Sequence, residues 1–123
     1  MDTFRILVVD DEALTRESTA DFLRSEGHEV VEADGAFNAL RLIGCGDIDL
    51  VVMDIQMPEV DGIEATRQLH SLSPSLPVLA FTGSPELLRE THGLFQGVFA
   101  KPLGLLQLLK SIRLVMVHRG RLN

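Results

Sequence analysis

What constrains this chain most is the rhythm of its apolar runs. Five short stretches, Phe4 to Val9, Glu29 to Ala33, Asp49 to Met53, Pro77 to Phe81 and Val98 to Ala100, are rich in Val, Ile, Leu and Phe. Each is bounded by Gly, Pro or Asp, and such runs read as buried strands. Segments with helical spacing separate them. Leu14, Ser18, Phe22 and Leu23 line one face of a first helix that stops at Gly27. Phe37, Leu40 and Ile43, with Cys45 at the end, mark a second that closes at Gly44 to Gly46. Ile63, Thr66, Arg67 and Leu69 suggest a third, with Asp61 as its N-cap. Ser84-Pro85 opens a short fourth, of about two turns, that Gly93 closes. Leu105, Leu108, Leu109, Ile112 and Met116 give a fifth. Arg113, His118 and Arg119 lie toward its C-terminus, where the helix dipole favours cations.

Regular alternation of strand and helix implies a parallel sheet covered on both faces. Right-handed crossovers leave few topologies for five strands. The expected fold is α/β, a flavodoxin-like doubly wound (βα)5 sheet in the order 2-1-3-4-5. Its ligand site would lie at the carboxyl ends of strands 1 and 3, where the winding reverses. At 123 residues the chain reads as one domain, 1–123. A chain of that size buries about two-thirds of its unfolded surface and needs no disulfide staple. The single cysteine, Cys45, fits a reducing compartment and reads as a buried or half-buried small residue. No apolar run approaches the roughly 20 residues of a membrane span. Residues Met1 to Arg5 lack the pattern of a secretory signal, so a cytoplasmic protein is expected. His28, His70, His92 and His118 have no zinc-ligand spacing and read as surface or half-buried residues.

Net charge is −7, and there is no Trp or Tyr. Both facts argue against nucleic acid or an anionic membrane as the main partner. The distribution says more: residues 1–64 hold 16 acids and 4 bases, whereas residues 65–123 hold 2 acids and 7 bases. Either the solvated faces are simply biased, or the first half builds an acidic pocket that needs a cation. The strand ends favour the pocket. Strand 1 runs into Asp10-Asp11, strand 3 into Asp54, strand 4 into Thr82 and strand 5 into Lys101. Taken singly, each has an ordinary explanation as a helix cap, a turn former or a surface charge. Four such residues at one sheet edge are harder to dismiss.

Three carboxylates in one pocket repel, so one must protonate or a cation must join them. With no Cys or His nearby, the all-oxygen set suits Mg²⁺ or Mn²⁺. Magnesium takes one or two carboxylates, leaving another free to attack phosphorus and form an aspartyl-phosphate. A phosphoryl group in transfer needs its charge neutralised more than it needs acid–base help. Lys101 can supply a point charge and Thr82 a hydroxyl donor. The chain has two lysines against nine arginines, so a lysine at this strand end is less readily surface filler.

These residues carry a family resemblance. The runs Ile6 to Glu12 and Val52 to Gly62, the Phe81-Thr82-Gly83 step and Ala100 to Leu103 together resemble the receiver domain of two-component response regulators. The likeness covers essentially the whole chain. The Met53-Asp54-Ile55-Gln56-Met57-Pro58 wording looks most like receivers attached to hybrid histidine kinases. The resemblance implies that Asp54 is the phosphoacceptor. Asp10, Asp11 and Asp54 would hold Mg²⁺ with the backbone carbonyl of Gln56, and Thr82 and Lys101 would contact the phosphoryl oxygens. It also implies a phosphohistidine donor, a sensor histidine kinase or a histidine phosphotransfer protein, and a signalling domain rather than an enzyme. The Lys101-Pro102 bond is often cis in the family, against about 5–6% for X-Pro bonds generally. Pro58 and Gly62 frame the loop after Asp54, Gly83 leaves room beside the phosphate, and Gln56 and Ser84 flank the site. Met53 and Met57 read as packing.

Two departures stand out. The family carries Tyr or Phe three residues before the lysine, where this chain has Val98, and Phe99 should point to the other face of the strand. The stretch from Thr82 to Lys101 is also shorter than usual. Competing classes are a haloacid-dehalogenase-like phosphatase, a flavin carrier and a structural receiver-like module. The phosphatase wants a second Asp where Gln56 stands, and the flavin carrier wants a phosphate loop where Asp10-Asp11-Glu12 would repel phosphate. Leu106, Leu114 and Val117 should point away from the sheet. With the fourth helix they offer a contact surface for a homodimer mate or an adjacent domain. The sequence stops just past the fifth helix, as expected of a free-standing receiver or one cut from a longer protein.

Overall fold

A computed structural model of the chain describes residues 3–57, 60–84, 86, 93–101 and 105–118. Five strands, β1 (Arg5–Val9), β2 (Glu29–Ala33), β3 (Leu50–Met53), β4 (Val78–Thr82) and β5 (Gly97–Ala100), form one sheet. All pairings are parallel and the order is β2-β1-β3-β4-β5, as the alternation predicts. The described helices are α1 (Ala13–Ser25), α2 (Ala36–Gly44), α3 (Gly62–Leu72) and α4 (Leu105–His118), the last being the fifth segment expected from sequence.

Successive strand residues point to opposite faces, so β1 feeds two cores. Leu7 and Val9 pack with α2 and α3 through Ala39, Ile43, Ala65 and Leu69. Ile6 and Val8 pack with α1 and α4 through Ala20, Leu23, Leu108, Ile112 and Met116. Each large aliphatic side chain buried this way contributes roughly 1.5–3 kcal/mol. Met53 and Met57 are buried in the first core, as expected.

The capping signals act as read. The Asp61 carboxylate accepts the Glu64 N–H at 2.9 Å and starts α3. Gly27 closes the turn after α1 with φ +96°, a left-handed conformation that favours glycine.

Other expectations need correction. Leu14 is 76% exposed and Ser18 is exposed; of the expected face α1 buries Leu23, with Thr19 and Ala20 beside it. Phe37 is 80% exposed because α2 seats Ala36, Ala39 and Ile43 on the sheet, and one position further rotates a side chain by 100°. Arg67 is exposed on α3. Cys45 is exposed at the end of α2. His28 is buried. β5 alternates between half-buried and exposed, because it is an edge strand paired with β4 alone.

The fourth helical segment expected between Ser84 and Gly93 lies mostly outside the described residues; Gly93 itself has φ +77°. Pro58, Pro102 with its peptide bond, His92, Arg119 and the His118 side chain also lie outside them. Among the described residues no helix is long and apolar enough to cross a membrane.

Candidate functional site

The hydrogen-bond ladders of the sheet continue one residue past the strands at their carboxyl edge. Asp10 N–H donates to the Ala33 carbonyl (3.1 Å), Asp54 N–H to that of Val9 (2.8 Å) and Lys101 N–H to that of Thr82 (3.0 Å). The backbones that carry the polar residues are therefore set by the sheet itself. Glycine does the rest at Asp54. A Cβ on Gly62 would come within 2.2 Å of the Asp54 carbonyl oxygen and 2.7 Å of Ile55 Cα. Only glycine lets the start of α3 lie against this loop, where Gly62 N–H donates to the Ile55 carbonyl at 2.9 Å.

Carboxylate oxygens of Asp10, Asp11 and Asp54 lie within 4.8 Å of one another. Asp10 and Asp54 are buried and Asp11 is exposed. Lys101 crosses the site, its Nζ 2.5 Å from Asp10 Oδ2 and 3.3 Å from Asp54 Oδ1. The ammonium also lies 5.9 Å from the centre of the Phe81 ring, within reach of its negative face. Burial pushes the Asp54 carboxyl up to about 6, and the charge of Asp10 adds to the rise. Lys101 pulls it back by charge and hydrogen bond, and Asp11 raises it slightly. One lysine thus offsets part of the repulsion among three acids. A hard, all-oxygen cluster with surplus negative charge fits a divalent cation such as Mg²⁺.

An open cavity of about 350 Å³ joins Asp10, Asp11, Glu12, Thr15, Asp54, Gln56, Gly83 and Lys101. Five of the six site residues expected from sequence line it: Asp10, Asp11, Asp54, Gln56 and Lys101. Thr82 does not. It is fully buried at the end of β4, and its Oγ1 accepts the Ser84 N–H at 3.0 Å. A hydroxyl that accepts one hydrogen bond can still donate its own proton. Glu12 and Thr15, which hydrogen-bond to each other, join the cavity unforeseen. The available signal was position, since Glu12 follows Asp11 and Thr15 lies in the first turn of α1.

A family model described as the response regulator receiver domain matches residues 6–113. The chain belongs to that family. Among curated relatives, the response regulator MprA of Mycobacterium sp. (strain KMS) is 38% identical over 115 residues. That match covers 91% of this chain and 50% of MprA. MprA of Mycobacterium ulcerans is 36% identical over 122 residues, covering 97% and 52%. The chain thus spans about half the length of these relatives. Among solved structures, a CheY-like receiver domain protein from Methanospirillum hungatei superposes with a TM-score of 0.88 at 28% identity, covering 98% of each chain. The response regulator TrrA of Thermotoga maritima, solved in complex with Mg²⁺–BeF, gives 0.84 at 27% identity, covering 91% of this chain and 98% of TrrA. The flavodoxin-like architecture of the receiver family and the acidic cluster at its switch point are both present here.

Proposed function

We propose that residues 1–123 act as one receiver domain that takes a phosphoryl group on Asp54 from a phosphohistidine, on a sensor histidine kinase or a histidine phosphotransfer protein. The observation that carries this reading is the convergence of three carboxylates and one lysine at the carboxyl edge of β1 and β3. With its carboxyl at about 6, Asp54 is mostly ionised at neutral pH and can act as the nucleophile. In the transfer an Asp54 O–P bond forms as the donor's N–P bond breaks, and the imidazole keeps that electron pair. Asp10, Asp11, Asp54 and the backbone carbonyl of Gln56 would hold Mg²⁺, for which Mn²⁺ can substitute. When bound, the cation neutralises charge on the phosphoryl oxygens. Lys101 gives up its bond to Asp54 and turns to a phosphoryl oxygen, and Thr82 offers its hydroxyl to another.

The product is a signal rather than a turnover. Gln56 stands where a phosphatase would carry its general acid–base, so loss of the phosphoryl group to water is slow. The domain works in the cytoplasm. The exposed Leu106, Leu114 and Val117 on α4 serve a homodimer mate or an adjacent domain.

The test is incubation with acetyl phosphate or a phosphorylated kinase, with and without Mg²⁺, followed by intact-mass measurement. One acid-labile phosphate per chain is expected, dependent on Mg²⁺ and absent in Asp54→Asn. Unchanged labelling of Asp54→Asn, or release of many phosphates per chain, overturns the reading.

A further inference from the structure

One charged group beside the cluster has no part in the chemistry above. Arg16, in the first turns of α1, is half-buried and directs its guanidinium at two acceptors. Nη1 donates to the backbone carbonyl of Asp10 at 3.0 Å, and Nε pairs with Glu32 Oε1 on β2 at 3.2 Å. The other Glu32 oxygen is taken by Arg24 Nη2 at 3.1 Å, and the same nitrogen donates to the Val30 carbonyl. Arg24 reaches Asp21 as well, at 3.4 Å. This chain of charges ties α1 to β2 just behind the acidic loop.

The loop is held from its other side too. Asp10 Oδ1 accepts the Glu12 N–H at 2.9 Å, and the Arg16 N–H donates to the Glu12 carbonyl at 2.9 Å. The Asp10 carbonyl, just past β1, thus finds its partner in a side chain, and that side chain is locked by a carboxylate. The pairing also keeps the Arg16 charge occupied. Asp10 and Asp54 make their ion pairs with Lys101, whereas Arg16 makes its own with Glu32.

We propose that Arg16, locked by Glu32 and Arg24, is a positioning residue that fixes the Asp10 carbonyl and thereby the spacing of Asp10 and Asp11 around the cation. The proposal rests on the Mg²⁺ site proposed above. A cation beside an acidic pocket competes electrostatically with Mg²⁺, so deleting it for charge alone would tighten Mg²⁺ binding. Loss of an outer partner that orients a ligand weakens metal binding, by about 10- to 100-fold in metal sites generally.

The experiment measures Mg²⁺ affinity of the full chain by calorimetry and Mn²⁺ affinity by the electron paramagnetic resonance signal of free Mn²⁺. The proteins are wild type, Asp11→Asn, Arg16→Ala and Arg16→Lys, with a urea unfolding curve for each. Arg16→Ala is expected to bind both ions about 10-fold more weakly or worse. Arg16→Lys keeps the charge but not the two-armed reach, and is expected to bind several-fold more weakly. If Arg16→Ala does not fold, Arg16→Lys decides by the same criterion. Equal or tighter binding in the folded variants, even with a lowered unfolding midpoint, overturns the positioning role. Wild type that binds neither ion, or Asp11→Asn that binds like wild type, overturns the metal site itself.

Discussion

The two ends of the sheet each bury a titratable side chain, and they resolve the burial differently. At the amino end, His28 stacks on Phe4 with ring centres 5.4 Å apart and accepts the Phe4 N–H on Nδ1 at 3.3 Å. Burial lowers its pKa, Glu26 raises it and Arg113 lowers it again, so the net direction is down. The neutral ring is what the surroundings want, and its acceptor is used. At the carboxyl end, burial raises the Asp54 pKa in the same spirit, toward the neutral form. There the neighbours pull in both directions, two acids against one lysine. One end relaxes into an uncharged, satisfied contact. The other holds a surplus of negative charge that an external cation can relieve. Burial alone does not mark a functional site; burial with unresolved charge does.

The sharpest way to break the carboxyl end leaves its charges untouched. Gly62→Ala places a methyl against the Asp54 carbonyl and Ile55 Cα, both backbone, so the α3 start or the loop after β3 must move. A loss of roughly 3 kcal/mol is expected, the upper part of the usual overpacking range. The measurement is the urea midpoint, and a shift equivalent to less than about 1 kcal/mol would mean the loop yields easily.

Removing the charge should do the reverse. Asp54→Asn is expected to stabilise the metal-free protein at pH 7 while abolishing phosphorylation. The sign follows from linkage. A carboxyl raised from 3.8 to about 6 binds more protons folded than unfolded, so its contribution is fully present below about pH 4 and is lost as pH rises through 6. Two pKa units correspond to just under 3 kcal/mol. Since the site opens to solvent, about 1–2 kcal/mol is expected, read as the difference between wild-type and variant stability at pH 7. Mg²⁺ should stabilise wild type from the other direction. At ten times its dissociation constant the gain is about 1.4 kcal/mol, or roughly 3–6 °C in Tm. Asp11→Asn should leave the metal-free form no less stable and remove most of that gain; a full Mg²⁺ shift in the variant would contradict the site.

The contrast between the ends also explains what could be read in advance. The sheet order and the site were legible because strand ends and parallel winding bring distant residues to one edge by rule. Asp10, Asp54 and Lys101 meet for that reason, although 44 and 47 residues separate them in turn. Helix faces were less legible. Leu23 and Ile43 are buried where the spacing put them, but the rest of the buried faces of α1 and α2 are alanines and a threonine with little hydrophobic signal, while the conspicuous Leu14 and Phe37 face outward. Arg16 carries no sequence signal, because its partners are a backbone carbonyl and a residue on another element. Thr82 stands at the expected strand end, but its full burial depends on side-chain packing that spacing does not encode.

The smallest expected effect belongs to the amino end, and it runs opposite in pH. A His28 pKa below 6.5 means that the unfolded chain binds the extra proton. The stability His28 contributes is therefore full above about pH 6.5 and is lost as pH falls toward the folded pKa. Protonation at Nδ1 would also remove the acceptor for the Phe4 N–H. His28→Asn keeps an acceptor oxygen near the Nδ1 position but loses the ring, so it should cost about 0.5–1.5 kcal/mol of stacking at pH 7.5. The difference between variant and wild type should shrink at pH 5, where wild type has begun to pay the cost of a charged or displaced imidazole. In an Asp54→Asn background the opposing slope from the carboxyl end is gone, and wild-type His28 should then show its acid loss undiluted. Urea curves for the four combinations at pH 5 and 7.5 give the comparison directly. A His28→Asn penalty that grows on acidification would show that the imidazole is charged in the fold, and the contrast between the two ends would fail.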